Sequence, residues 1–206
     1  MSSSVKIAVL VSGGGTNLQA LIDSEAKGIL KSGKISLVVS NVKDAYALVR
    51  AENAGIETLT LSKRELGGQE AFEKTLREEL EKRGIELIIL AGFMSILTEG
   101  FTSLYPERII NVHPSLIPSF CGKGFYGLRV HEAALEYGVK VTGATVHFVN
   151  EIPDGGRIIM QKAVNIRKND TPETLQKRVM KLAEWKILPL SAEKVSLEIL
   201  SSKSEK

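Results

Sequence analysis

Apolar, β-branched runs alternate along the chain with stretches whose apolar positions recur at helical spacing. "KIAVLVS" (6–12), "ISLVVSN" (35–41), "ELIILAG" (86–92) and "RIINVH" (108–113) are rich in Val, Ile and Leu, as strands buried inside a parallel sheet are. Helical patterns occupy about 16–26, 43–54 and 69–83 between them. Repetition of strand, helix and strand predicts right-handed crossovers and a parallel sheet. "VTGATVHFVN" (141–150) and "RIIMQKAVNI" (157–166) are longer strands separated by "EIPDGG", a link compatible with a hairpin, so the sheet is expected to become mixed there. A last helix is expected from about 171 to 200, with Asp170 or Thr171 as N-cap, Pro172 in its first turn, and 201–206 as a frayed tail. The fold class predicted is α/β, a doubly wound, mostly parallel but mixed sheet flanked by helices.

Composition narrows the class of function. The 206 residues are 43% hydrophobic and 25% charged, a globular profile with enough chain for a sizeable core. The formal net charge is only +3, and charged stretches such as "EKTLREELEKR" mix both signs. With no basic stripe interleaved with aromatics, nucleic acid is not expected as a partner, whereas small anionic substrates suit the weak positive bias. "LIILAGFMSIL", the longest apolar segment, is too short to span a membrane. The N-terminal "MSSSVKIAVLVSGGG" has no basic leader and reads as a first strand, so a soluble, cytoplasmic protein is expected. Cys121 is the sole cysteine, which excludes an internal disulfide and fits a reducing compartment. Lys123 nearby would lower its thiol pKa, although an incidental loop cysteine is the plainer reading.

"VSGGGTNLQA" (11–20) joins the first strand to the first helix, where open parallel sheets commonly bind ligands. Glycines let backbone N–H groups approach an anion, and the helix that follows presents its positive end. The pattern is neither G-x-x-x-x-G-K-[ST] nor G-x-G-x-x-G, and the second strand ends in Ser40-Asn41 instead of an acidic residue. A lone terminal phosphate therefore fits better than a nucleoside triphosphate or a dinucleotide. The plain alternative is a capping box of Thr16 and Gln19.

Asn111 and His113 interrupt the apolar run of the fourth strand at i and i+2, so both side chains face the same way. An amide donor beside a group that titrates near neutrality suits an oxyanion clamp with a proton shuttle. Pro114 and Pro118 would stiffen the loop that follows. The carboxylate such a pair needs is offered by Asp154 in "PDGG", provided that turn folds against His113; Asp-Gly is otherwise ordinary hairpin chemistry. His147, in the alternating strand "TVHFVN", reads as structural, and His131, starting "HEAALEYG", as part of a wall. Three scattered histidines and one cysteine provide no metal-ligand spacing.

"VLVSGGGTNLQALI", "VVSNVKDAYALVRAENAGI", "LAGFMSIL", "INVHPSLIPSF", "VTGATVHFVNEIPDGGRIIMQ" and "LAEWKILPL" together closely resemble the glycinamide ribonucleotide transformylase family of folate-dependent formyltransferases. The resemblance covers nearly the whole chain, in family order. It implies a formyltransferase Rossmann-like fold in a single domain, with a mononucleotide-binding half (1–105), a catalytic and folate-site half (106–200) and a tail. It also implies formyl transfer from 10-formyltetrahydrofolate, as cosubstrate and without a metal, to the amine of glycinamide ribonucleotide in purine biosynthesis, by a monomer or homodimer. By motif, Asn111, His113 and Asp154 match the catalytic trio, Asn111 also adjoining folate. Gly15, Thr16 and Asn17 match the substrate-phosphate loop, and Glu184 a ribonucleotide contact. Met94, Ser95, Ile96 and Leu97 match the segment beside the pterin. Two positions depart: Ser95 and Gln69 stand where many members carry Arg. Sister families, the formyltetrahydrofolate deformylases and methionyl-tRNA formyltransferases, share the trio but add a domain that this chain is not expected to carry.

Overall fold

The computed structural model describes residues 4–204. Among these, seven strands form one sheet in the order β3-β2-β1-β4-β5-β6-β7. They are β1 (Val5–Val11), β2 (Gly33–Ser40), β3 (Glu57–Thr60), β4 (Leu87–Leu90), β5 (Ile109–His113), β6 (Val141–Phe148) and β7 (Ile158–Asn165). The helices are α1 (Thr16–Ala26), α2 (Tyr46–Asn53), α3 (Gln69–Arg83), α4 (Glu99–Thr102), α5 (Leu128–Tyr137), α6 (Pro172–Val179) and α7 (Trp185–Ser204), with a π-helical segment, Met180–Glu184, between the last two. β1 to β5 run parallel, and β6 and β7 are antiparallel additions at one edge, the mixed sheet expected from the pattern.

The double winding follows from strand alternation. Val5, Ile7, Val9 and Val11 pack on one face with Leu18 and Leu21 of α1, Ala47 and Leu48 of α2, Leu175 of α6 and Leu188 of α7. Ala8 and Leu10 turn to the opposite face, against Phe72, Leu76 and Leu80 of α3 and Phe101 of α4. Because each central strand is covered on both faces, its residues are apolar almost without a break.

β3 and the last helix depart from the pattern. β3, "ETLT", is a short edge strand with polar, partly exposed side chains, so it carries no apolar run to find. The expected last helix starts as anticipated, with Thr171 as N-cap in a capping box with Thr174 and Pro172 at the first position. It then widens into the π segment and continues as α7 to Ser204. Residues 201–204 are therefore helical instead of frayed, and Lys203 pairs with Glu86. Positions 205–206 of the expected tail lie outside the described residues.

Strand order reverses between β1 and β4, the switch point beyond whose strand ends open α/β sheets form a ligand crevice. The glycine turn borders it on one side, and residues 91–98 together with the end of β5 on the other. The β6–β7 connection, residues 149–157, folds tightly back on β6. A Cβ on Gly156 would lie 1.8 Å from the Phe148 carbonyl oxygen, and one on Gly155 2.6 Å from Ile152 Cγ2. Asp154 itself has φ 57, a left-handed conformation that Asp tolerates better than most residues.

Gly156→Ala should accordingly lower stability by about 1–3 kcal/mol, the usual cost of overpacking. Gly14→Ala, whose Cβ would meet nothing within 4 Å, should leave the midpoint of urea unfolding in place. Equal midpoints for the two variants would show that the turn is loosely packed.

Candidate active site

Asn111 and His113 share one face of β5, as their spacing requires, and antiparallel pairing sets His147 of β6 directly across from Asn111. The turn after β6 brings Asp154 into this group. Its Oδ2 lies 3.5 Å from His113 Nδ1 and its Oδ1 3.5 Å from His147 Nε2. The Gly122 N–H donates to Oδ2 at 2.9 Å. Asp154 thus sits between two buried histidines, with only 13% of its side chain exposed.

His147 was read from the sequence as structural, yet it touches two of the three expected residues. Its Nδ1 is 2.8 Å from the Phe148 carbonyl oxygen, which can only accept, so Nδ1 carries the proton. In the neutral ring Nε2 is then an acceptor, 3.2 Å from Asn111 Nδ2. The histidine therefore orients the Asn111 amide and leaves its second N–H for another acceptor. The missed signal was cross-strand register, which a strand pattern does not contain.

His113 departs from expectation in its electrostatics. Burial pushes its pKa below 6.5, and the nearby Asp154 charge offsets this only in part. Asp154 beside it therefore does not lift His113 above its ordinary value in the free protein. Its Nε2 lies 2.8 Å from the Phe120 carbonyl oxygen, so that nitrogen holds the proton, and at 3.5 Å the Asp154 contact is too long for a strong hydrogen bond. For Asp154, burial raises the pKa, but the facing His147 and His113 rings and the Gly122 N–H together bring it below 3.8. Its carboxylate is ionised at neutral pH.

The glycine turn differs in detail from a capped helix start. Gly15, with φ 70, occupies the N-cap position and α1 has no side-chain cap. Gln19 bonds instead to Asp23 and Arg50, so the Thr16–Gln19 capping box does not form. A Cβ on Gly15 would lie 2.6 Å from Ala47 Cβ, so glycine is required there by α2 as well as by φ. Gly13 and Gly14 have no neighbour within 4 Å of a would-be Cβ, which leaves the crevice side open to a ligand. A cavity of about 350 Å³ adjoins the turn through Thr16, with Lys27, Arg50, Lys181 and Lys186 opposed by Asp23. Lys181 and Lys186, whose only sequence signal is their place in the last-helix pattern, line this cavity.

Asn17 and Glu184 meet under the turn. Asn17 Nδ2 donates to Glu184 Oε2 at 2.7 Å, inside the protein. Glu184 lies in the π segment, a helical irregularity often found at functional sites. Burial raises its pKa to about 7, and the Asn17 bond opposes that only weakly.

Beyond β4, Met94 and Ile96 stand 57% and 72% exposed, while Leu97 turns into the core. Ser95 Oγ accepts from Asn41 Nδ2 at 2.8 Å, and Ser12 Oγ joins the same network by donating to Asn41 and accepting from the Met94 N–H. Gln69, at the start of α3, donates through Nε2 to the Ile96 carbonyl at 3.1 Å. These two polar residues thus brace the segment from behind.

His131 is fully buried, not part of an open wall, and burial with the adjacent His113 takes its pKa down to about 4. The Cys121 thiol is pushed up by burial and by the Asp154 charge, opposite to the lowering that Lys123 suggested. Among the described residues, no three His, Cys, Asp or Glu side chains gather as a metal site. No described helix is long and apolar enough to cross a membrane.

Glu184 should make stability pH-dependent. Because folding raises its pKa from 4.5 to about 7, the folded chain binds the proton more tightly. Stability should then fall as pH rises between those values, by a total of about 3 kcal/mol, with no loss below them and no further loss above. Urea unfolding at pH 5 and pH 8 should show this in the wild type, and Glu184→Gln should abolish that part of the difference. An identical pH dependence in the variant would place the proton elsewhere.

Comparison with known proteins bears on this arrangement directly. The model of the formyl transferase family, "Formyl transferase", matches residues 5–191. The chain is 45% identical over 195 residues to the trifunctional purine biosynthetic protein adenosine-3 of Gallus gallus, covering 95% of this chain but only 19% of that protein. It thus spans about a fifth of that relative's length. With the phosphoribosylglycinamide formyltransferase of Haemophilus influenzae it shares 40% identity over 185 residues, covering 90% of this chain and 84% of the relative. Among solved structures, glycinamide ribonucleotide transformylase 1 from Symbiobacterium toebii superposes with a TM-score of 0.88 at 39% identity, covering 95% of this chain and 89% of the other. Sheet order, crevice and motif order agree with that similarity, and the chain belongs to the formyl transferase family, with the formyltransferase Rossmann-like fold.

Proposed function

We propose that this chain transfers the formyl group of 10-formyltetrahydrofolate to the amino group of glycinamide ribonucleotide, a step of purine biosynthesis. The observation that carries the reading is the Asp154 carboxylate lying 3.5 Å from both His113 and His147, beside an amide oriented by His147. The names of the relatives that this chain covers almost throughout, a phosphoribosylglycinamide formyltransferase and a glycinamide ribonucleotide transformylase, supply the substrate class.

The two substrates fit opposite sides of the crevice. The terminal phosphate of the ribonucleotide suits the Gly15, Thr16 and Asn17 turn, with Lys181 and Lys186 adding positive charge beside it. Glu184, fixed through Asn17, serves the substrate's polar groups next to that turn. The folate suits the segment after β4, where exposed Met94 and Ile96 offer an apolar wall and Gln69 and Ser95 hold the backbone behind them.

In the reaction the substrate amine adds to the formyl carbon, and the carbonyl oxygen gains negative charge. The free N–H of Asn111 donates to that oxygen. The new carbon–nitrogen bond remains, the bond to the folate nitrogen breaks, and the amine's proton must reach the departing nitrogen. His113, neutral at rest because it is buried, accepts that proton as the charge develops and passes it on. The Asp154 carboxylate stabilises the transient imidazolium, a state that exists only along the reaction path. For Nε2 to accept the amine's proton, the Phe120 carbonyl must move away and the resting ring proton must sit on Nδ1, toward Asp154.

Asp154→Asn keeps the shape and removes the charge. Its kcat should fall by roughly two to four orders of magnitude, the scale of acid–base and oxyanion groups, with a much smaller change in KM. Activity in the wild type should rise with pH through the His113 pKa, on a limb centred below 6.5. In the variant that limb should move to lower pH, because the carboxylate raises the His113 pKa. A variant with wild-type kcat would reduce Asp154 to a turn residue.

Gly14→Ala tests the phosphate end separately. It should fold normally yet raise KM for glycinamide ribonucleotide about tenfold or more, because its methyl group occupies the open side of the turn. Folate affinity measured by fluorescence quenching should not change. An unaltered ribonucleotide KM would remove the turn from the site.

A further inference from the structure

The glycine turn is held from behind by α2, and the tie is Arg50. Its Nε donates to the Gly14 carbonyl at 2.8 Å, and its Nη1 to Gln19 Oε1 at 3.0 Å. The guanidinium also stacks 4.9 Å above the Tyr46 ring. One residue earlier in the turn, the Gly13 carbonyl accepts from the Ala47 N–H at 3.0 Å. One residue later, the Gly15 carbonyl accepts from the Gln19 N–H at 2.9 Å. Three successive carbonyls of the turn are thus bonded inward, two of them to α2.

In a planar trans peptide the N–H points opposite to the C=O of the same unit. Fixing the carbonyls of Gly13, Gly14 and Gly15 toward the helices therefore aims the N–H groups of Gly14, Gly15 and Thr16 at the crevice. Among the described residues these N–H groups find no backbone acceptor. A positive charge on the Gly14 carbonyl also polarises the Gly14–Gly15 peptide and makes its N–H a stronger donor. We infer that Arg50 is the positioning residue of the anion-binding turn: its forked donors on the Gly14 carbonyl and Gln19 fix the central Gly14–Gly15 peptide, between the peptides held by the Ala47 and Gln19 N–H groups, in the orientation that receives a phosphate. This rests on the phosphate end of the proposed function and adds the residue that makes that end work.

The planar fork explains why this position suits Arg. A lysine keeps the charge but offers a point donor that cannot hold the carbonyl and the Gln19 amide in one rigid geometry. Arg50→Met should raise KM for glycinamide ribonucleotide roughly ten- to a hundredfold, the range for losing hydrogen bonds to a charged group. Its kcat should stay within a few fold, with folate affinity unchanged. Arg50→Lys should fall between Arg50→Met and the wild type.

The decisive measurement is an amide NMR titration of the whole protein with inorganic phosphate. In the wild type the Gly14, Gly15 and Thr16 resonances should shift and saturate, and in Arg50→Met saturation should need at least tenfold more phosphate. If the wild-type resonances do not move, the phosphate reading of the turn fails, and this inference with it. If they move identically in the wild type and in Arg50→Met, the phosphate reading stands and the role of Arg50 is overturned. Full recovery in Arg50→Lys would overturn it too, by showing that charge alone matters. Equal loss of folate and phosphate binding in a destabilised Arg50→Met would make Arg50 a fold residue and likewise overturn it.

Discussion

An ionised carboxylate held out of water has to be paired, and the site is organised by how Asp154 meets that requirement. With 13% of its side chain exposed, it takes one N–H from Gly122 and faces His113 and His147. Burial alone would favour the neutral acid, and these partners reverse the sign. Each partner comes from a different part of the chain: β5, β6 and the loop after β5. Their convergence explains why the β6–β7 turn is packed so closely that neither Gly155 nor Gly156 has room for a Cβ. It also explains a left-handed Asp at a position where glycine would be easier for the backbone.

The same need to satisfy buried polar groups joins the two ends of the chain. Asn17 lies at the start of α1 and Glu184 at the end of the π segment, and their hydrogen bond bridges 167 positions. With its pKa near 7, Glu184 carries its proton through part of the physiological range, so this bond changes character where the protein works. The Ser12–Asn41–Ser95 network in turn ties the end of β1 to the segment after β4. The crevice is therefore braced by hydrogen bonds on both sides instead of being left to two mobile loops.

Under the proposed reaction, placing neutral His113 next to a carboxylate has a catalytic logic. A permanent imidazolium would be strongly paired with Asp154 in the ground state and would contribute little more at the transition state. A ring kept neutral by burial gains its charge only when a proton is released, so the attraction to Asp154 is realised along the reaction path. Differential stabilisation of this kind lowers a barrier, whereas uniform binding does not.

Much of this was legible in the sequence because it is encoded locally. Apolar β-branched runs gave away the central strands, Thr171 and Pro172 the start of α6, three glycines the turn between β1 and α1, and the i, i+2 spacing the common face of Asn111 and His113. Other features depend on residues far apart in the chain, and no local pattern carries them. Pairing of β5 with β6 decided that His147 joins the site, and α2 decided that Gly15 must be glycine and that Arg50 reaches the Gly14 carbonyl across 36 positions. The pKa of His113 required knowing both its depth and the reach of Asp154, two opposing effects whose balance exists only once the sheet has closed around them. Sequence determined which chemical groups were present and which way each strand presented them; packing determined which of them meet, and so which carry charge.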